Sequence, residues 1–292
     1  MLKFHGKIFT LAPFFISLCA ILPLTAHAQY TFFIDEFSVI KNGNVMFIDS
    51  FDDGDPPPDA PDFENGNPAE YFVRGTMGPE TGSILALDSS GTVPRVSPLG
   101  EPVLFQGATL LTSMDESDLD RGLKIDDTFS VSGVFDLVVP SVPQTLYGVR
   151  FTDGIETNTP IGNDFAELSV HRTAANDLRV LFRDVDFELG AVTIVDSVPL
   201  ETNHDQIWLN LMRGDVSSNA ITASLAYIDD GVMGDVLTSP NTLDIFDGEN
   251  FTRAQFVSIT VVPEPISLTL FITGGTALGC RRFWKKRSIE KI

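Results

Sequence analysis

The run Asp184-Val185-Asp186-Phe187-Glu188 places three carboxylates at alternate positions. On a strand, alternate positions share one face. Two carboxylates about 5 Å apart are the equipment of a retaining glycosidase, one as nucleophile and one as acid/base. Asp186 and Glu188 form the pair suited to that work. Asp184 has a shorter reach than a glutamate, and the apolar phase slips between Phe182 and Val185, which predicts a bend. The run is therefore read as a solvated acidic face, and no residue is assigned a catalytic role.

Other chemistries find less material. Between residues 29 and 262 the histidines are His171 and His204, and no Gly-x-Ser-x-Gly elbow occurs. His204, within Asn203-His204-Asp205, reads as a turn residue. His171, beside Arg172, reads as an exposed strand end. Carboxylate-rich loops offer hard oxygen donors, so Ca²⁺ is the cofactor the sequence could accommodate. Asp49, Asp52, Asp53 and Asp55 are its candidate ligands, and Asp115 to Asp120 and Asp229 to Asp235 are similar loops. None has EF-hand spacing. Zinc, haem and nucleotide sites lack a cysteine cluster, a histidine pair and a phosphate loop. Trp208 is the one tryptophan between residues 29 and 262, and with Tyr147 and Tyr71 it is a candidate for stacking on a sugar ring.

The elements that must position these residues read as strands throughout. Thr31 to Ile40 and Asn44 to Asp49 flank Asn42-Gly43, the signature of a type I′ hairpin. Asp49 to Asp62 holds six aspartates and four prolines, so it reads as a loop excluded from any sheet interior. Ile84 to Asp88 and Leu104 to Thr112 are strands. Phe129, Val131, Gly133, Phe135 and Leu137 alternate with polar residues, as do Tyr147, Val149 and Phe151. Leu168 and Val170 lead to a turn at Thr173 to Asp177, from which Leu178, Val180 and Phe182 return. Val192 to Val198 follows. Ile207, Leu209 and Leu211 point one way, with Trp208, Asn210 and Met212 opposite. Ile221, Ala223, Leu225 and Tyr227 alternate, and Ala254 to Val262 is the last strand.

Charge is distributed unevenly along the 292 residues. Lys3 and Lys7 start the chain, and Arg281, Arg282, Lys285, Lys286, Arg287 and Lys291 end it. The middle keeps 11 basic and 38 acidic residues, a formal charge of −27. Such a domain repels nucleic acid and anionic membrane surfaces. Cys19 and Cys280 lie in the terminal segments, so the middle has no disulfide framework and must be held by its core.

The two ends read as addresses. Residues 1–28 form an expected signal peptide: a basic start, an apolar run from Ile8 to Leu24, and Ala26-His27-Ala28. Small residues at Ala26 and Ala28 suit signal peptidase, with cleavage before Gln29. At the other end, residues 263–265 are Pro263-Glu264-Pro265, and residues 266–280 carry no charge. A basic segment, 281–292, follows. A helix of that uncharged length spans about 22 Å, short of the roughly 30 Å hydrocarbon core. The basic cluster places the tail in the cytoplasm and the acidic domain outside.

Pro-Glu-Pro, a short apolar span and an Arg-rich end together resemble the tripartite PEP-CTERM sorting signal. The resemblance covers about a tenth of the chain. It implies that Pro263, Glu264, Pro265, Arg281 and Arg282 are read by an exosortase, a membrane-embedded cysteine protease that cuts near the motif. It implies a Gram-negative, exopolysaccharide-producing host, an inner-membrane-anchored precursor, and a final place at the cell surface, outer envelope or matrix. The domain between, residues 29–262, has the strand count and length of an all-β, two-sheet antiparallel sandwich. It resembles in pattern a jelly roll of the concanavalin-like type. Laminarinases and lichenases of that type carry Glu-x-Asp-x-Glu, where this chain has Asp184. In that fold the first and last strands often lie side by side, which predicts Thr31 to Ile40 near Ala254 to Val262. Four roles are expected, in this order: a non-enzymatic structural or interaction protein of the surface or biofilm matrix; a lectin-like module for exopolysaccharide; a glycoside hydrolase using Asp186 and Glu188; and a calcium-dependent adhesin.

Overall fold

The computed structural model describes residues 31–52, 54, 70–74, 77–88, 94–96, 102–111, 123, 126–141, 143–153, 164–186, 189–244 and 251–261. Both terminal segments, with Ala26, Ala28, Pro263, Glu264, Pro265, Arg281 and Arg282, lie outside these residues. Among the described residues there are eighteen strands. They are β1 (Thr31–Lys41), β2 (Asn44–Asp49), β3 (Glu70–Arg74), β4 (Met77–Glu80), β5 (Leu85–Asp88), β6 (Pro94–Val96), β7 (Pro102–Leu111), β8 (Phe129–Asp136) and β9 (Thr145–Asp153). The second half supplies β10 (Phe165–Arg172), β11 (Leu178–Asp186), β12 (Ala191–Pro199), β13 (Gln206–Arg213), β14 (Ala220–Asp229), β15 (Val232–Met233), β16 (Leu237–Thr238), β17 (Leu243–Asp244) and β18 (Phe251–Val261). No helix among the described residues is long and apolar enough to cross a membrane.

The strands form two antiparallel sheets. The first runs β15-β14-β13-β8-β1-β5-β4, with β16 and β17 also on β14 and β2 on β1. The second runs β12-β11-β10-β9-β18-β7-β3, with β6 on β7. Asn42 and Gly43 take φ of 50° and 74°, as the type I′ turn between β1 and β2 requires. That turn is tied down: Asn42 donates from Nδ2 to Asp127 at 2.7 Å, and Lys41 pairs with the same carboxylate at 2.9 Å.

The sheets meet through aromatic side chains, because the alternation of each strand sends its large apolar residues to one face. Phe37 of β1 meets Phe256 of β18 edge-on, ring centroids 5.1 Å apart. Phe51 meets Phe256 at 5.7 Å, Phe129 meets Phe151 at 5.2 Å, and Tyr147 lies against Phe32 at 4.6 Å and Phe135 at 5.5 Å. All are buried in one cluster with Ile207, Leu209, Leu211, Ile221 and Ala223. The first and last strands are thus neighbours across the core and not side by side. β18 completes the second sheet between β7 and β9, while β1 is central in the first.

The outward faces of the two sheets differ. In the second sheet, Leu146, Arg150, Glu167, Ser169, Gln255 and Val257 point away from the core and are buried nonetheless. In the first, Ser38, Ser132, Asn210, Ser224 and Ala226 are likewise buried, but Trp208 is only partly buried and Met212 is 38% exposed. Phe256 is the hub of the joint between sheets. Phe256→Ala in the intact chain is expected to lower unfolding stability by about 3–5 kcal/mol, through lost burial and the cavity left behind. Urea denaturation followed by far-UV circular dichroism measures this.

Candidate functional site

A β-bulge builds the polar part of the first sheet's outward face. In the ladder of β1 with β8, Ile34 opposes Phe135 and the next partners are Glu36 and Val134, so the register shifts around Asp35. An extra residue in one strand re-aims its side chains. Ile34 and Phe37 both enter the core, which leaves Asp35 and Glu36, consecutive in sequence, on the outward side. The slip is visible in the sequence, because the apolar interval Phe32, Ile34, Phe37, Val39 contains one step of three.

Asp35 there meets Asp136 of β8 through Gln206 of β13. The Gln206 amide donates from Nε2 to Asp35 Oδ2 and, at 3.3 Å, to Asp136 Oδ1. Asp35 Oδ1 is buried and has no hydrogen-bond partner among the described residues. Burial first, and then the charge of Asp136, push the Asp35 carboxyl up to about 6, against a smaller lowering by Gln206. Burial also raises Glu36.

Trp208 lies two residues beyond Gln206 on the same face. It opposes Val134 on one side and Ala226 on the other, so Val134, Trp208 and Ala226 make a short apolar row across three strands. Beside it runs a polar row. Ser38 opposes Ser132, Ser132 opposes Asn210, and Asn210 opposes Ser224. These residues are bonded laterally: Ser38 Oγ and Ser132 Oγ lie 2.8 Å apart, Ser130 donates to Asn210 Oδ1 at 2.5 Å, and Ser224 and Thr238 hydroxyls lie 3.0 Å apart. The face thus carries one tryptophan, a row of small hydroxyl and amide groups on one flank, and a carboxylate pair on the other. Ser38, Ser132, Asn210 and Ser224 are themselves buried, so the groups this face offers a ligand are the partly buried Trp208, Gln206 and the carboxylates of Asp35 and Asp136, which suit an apolar ring face with hydroxyl edges.

The remaining sequence candidates are dispersed. Tyr147 is fully buried in the core, which removes it as a stacking platform. Tyr71 is on β3, where side chains lie outside the described residues. Asp49 is buried and accepts from Phe51 N at 2.8 Å, while Asp52 is exposed; Asp53 and Asp55 lie outside the described residues. Among the described residues no three His, Cys, Asp or Glu side chains gather as a metal site would need. Asp186 accepts from Leu189 N at 2.7 Å, and Glu188 lies outside the described residues. Asp184 is raised by burial, then by Asp164 and Asp186. The irregularity expected near Phe182 is present as a register shift between β11 and β12, while β10 and β11 stay in register throughout.

Two histidines are placed differently from each other. His204 sits in its turn, stacked on Tyr227 at 4.4 Å and bonded to Asp229 at 2.8 Å. His171 is not an exposed strand end. It lies on the outward side of the second sheet, mostly buried, and burial lowers it to about 4. Glu167, four residues back on the same face, is fully buried and pairs with Arg183 at 2.8 Å; Ser169 donates to it at 2.7 Å. Burial alone would raise Glu167, but Arg183, Arg150 and Ser169 outweigh it and hold the carboxyl low. Nothing in the alternation of residues 165–172 marks this network, since a buried outward face and a solvated one read alike when the residues are polar.

No protein-family model matches the chain, and no curated protein matches it. Two solved structures show a distant likeness. One is a GH43 glycoside hydrolase engineered to display endo-xylanase and exo-arabinofuranosidase activity. It has TM-score 0.24 and 17% identity over 54% of this chain, which spans 35% of that protein. The other is a protein of unknown function from Shewanella oneidensis, with TM-score 0.25 and 9% identity over 89% of this chain and 99% of that one.

Asp35 gives a test of the site's electrostatics. Its folded-state pKa is raised, so the ionised form costs stability above about pH 6 and that cost vanishes below 3.8, its ordinary value. Asp35→Asn is expected to stabilise the protein at pH 7.5 by on the order of 1 kcal/mol, a figure reduced for solvent screening at a half-buried group. The gain should disappear at pH 3.5. Thermal melts of both proteins at the two pH values measure it.

Proposed function

We propose that this chain is an exported, non-enzymatic protein of the cell surface or biofilm matrix, and that its domain binds polysaccharide through Trp208 and its neighbours on the outward face of the first sheet. The observation that carries the reading is the partly buried Trp208 on the outward side of β13, flanked by Gln206 and by the carboxylates of Asp35 and Asp136. An aromatic plane takes the apolar face of a sugar ring while a flanking amide and carboxylates take its hydroxyl groups. Two antiparallel sheets with such a face accord with a jelly roll of concanavalin-like type, the architecture proposed for residues 29–262. Asp186 binds the backbone of its own turn, so the acidic run from Asp184 is given no catalytic part.

Export and sorting complete the proposal. Ala26 and Ala28 direct signal peptidase, and Pro263, Glu264, Pro265, Arg281 and Arg282 direct an exosortase at the inner membrane. The domain's charge excludes nucleic acid as partner and favours exopolysaccharide without strong negative charge. In an exosortase-bearing Gram-negative host, the wild-type chain should lose its 263–292 tail, and Glu264→Ala should remain as the membrane-bound precursor. Immunoblots of membrane and released fractions read this; a wild-type protein that keeps its tail would contradict it.

The binding claim is tested with the intact chain in mild detergent on an array of bacterial and plant polysaccharides, with calcium and with chelator. Binding that Trp208→Ala lowers at least tenfold is expected, with calcium immaterial at this face. Unchanged binding by Trp208→Ala would move the site elsewhere.

A further inference from the structure

We infer that the cavity at the β4–β5 end of the same face is a subsite for one uncharged sugar residue, so that the protein takes an oligosaccharide chain laid from Trp208 to this cavity. The inference rests on the polysaccharide reading above and adds the ligand's length and its second anchor.

The cavity has a volume of 210 Å³ and is lined by Phe33, Thr81, Ile84, Ala86 and Asp136. That is below the volume of a drug-sized pocket and suits a single ring. Its wall is divided: Phe33, Ile84 and Ala86 are apolar, and Thr81 and Asp136 are polar. A pyranose has the same division, apolar across the ring faces and hydroxylated at the edges. The wall is held by local geometry. Gly82 and Ser83 take φ of 63° and 65° in the tight turn between β4 and β5, where Thr81 N donates to Ile84 O at 3.0 Å. Ala86 opposes Phe33 in the β1–β5 ladder.

The cavity continues the Trp208 row. Asp136, on its wall, opposes Gln206, and Trp208 lies two residues along the same strand. The near wall, Asp136, is one strand from β13, and the far wall, Ala86 on β5, is three strand spacings from it, about 14 Å. A single sugar cannot span that distance, whereas a short chain can. Asp35 lies between the two ends, on β1, and its buried Oδ1 lacks a hydrogen-bond donor among the described residues. A buried acceptor without a partner is rare in folded proteins, and a ligand hydroxyl laid across β1 would satisfy it. Asp35, Glu36 and Asp136 make this stretch negative, so a uronate or sulfated chain would meet like charge.

Calorimetric titration of the intact chain in mild detergent tests the inference. The probes are cello-, xylo-, manno- and maltotetraose, their disaccharides, and tetragalacturonate. At least one uncharged tetraose should bind at least tenfold more tightly than its disaccharide, and tetragalacturonate should not bind. Ala86→Leu fills the cavity and should erase the tetraose advantage while leaving disaccharide binding intact. Asp136→Asn, nearly isosteric, should weaken the tetraose at least tenfold, and covers the case in which Ala86→Leu misfolds. If Trp208→Ala abolishes binding but Ala86→Leu and Asp136→Asn do not alter it, the cavity subsite is wrong and the Trp208 reading stands. Preference for tetragalacturonate also overturns the subsite. Binding of no saccharide overturns both.

Discussion

The structure depends on one joint, the aromatic contact between two sheets that share no disulfide. Phe256 is edge-on to Phe37 and Phe51, and Tyr147 is wedged between Phe32 and Phe135. The domain between the terminal segments has no cysteine, so burial of these rings is what holds one sheet on the other. Each ring reaches the core because its strand alternates, and that alternation also decides which residues are left on the outside. The Trp208 face is therefore a consequence of the core: fixing Ile207, Leu209 and Leu211 inward fixes Trp208 and Asn210 outward.

The bulge at Asp35 is the place where this rule is broken, and it is where the polar chemistry collects. One additional residue turns two acids to the same side, and Gln206 then holds Asp35 and Asp136 together despite their like charge. The cost of that arrangement is visible in the raised Asp35 carboxyl. A fold under selection for stability alone gains nothing from two half-buried aspartates sharing one amide, which is a reason to regard the cluster as functional.

Much of the fold was legible in the sequence because it rests on period-two patterns and turn chemistry. Asn42-Gly43 forms its hairpin, Thr173 to Asp177 its turn, and the faces of β13 and β14 follow the alternation. The pairing of β18 was not legible. Its strand character is local, but its insertion between β7 and β9 depends on contacts across more than a hundred residues, which no local pattern reports. Trp208 was legible as an outward aromatic, whereas Asp35, Asp136 and Gln206 were not, since their meeting requires three strands to lie in register. In the acidic loop that begins at Asp49, composition suggests oxygen ligands; the folded chain shows Asp49 accepting from the backbone two residues on, and Asp53 and Asp55 lie outside the described residues.

The central claim is that Trp208 touches the ligand, and its own fluorescence can report that. In a Trp284→Phe version of the intact chain, Trp208 is the sole tryptophan. Titration with the uncharged oligosaccharide that binds best should quench or shift its emission saturably, with a midpoint equal to the calorimetric one. Emission that stays constant through a calorimetrically proven binding event would place the sugar elsewhere on the molecule and contradict the account.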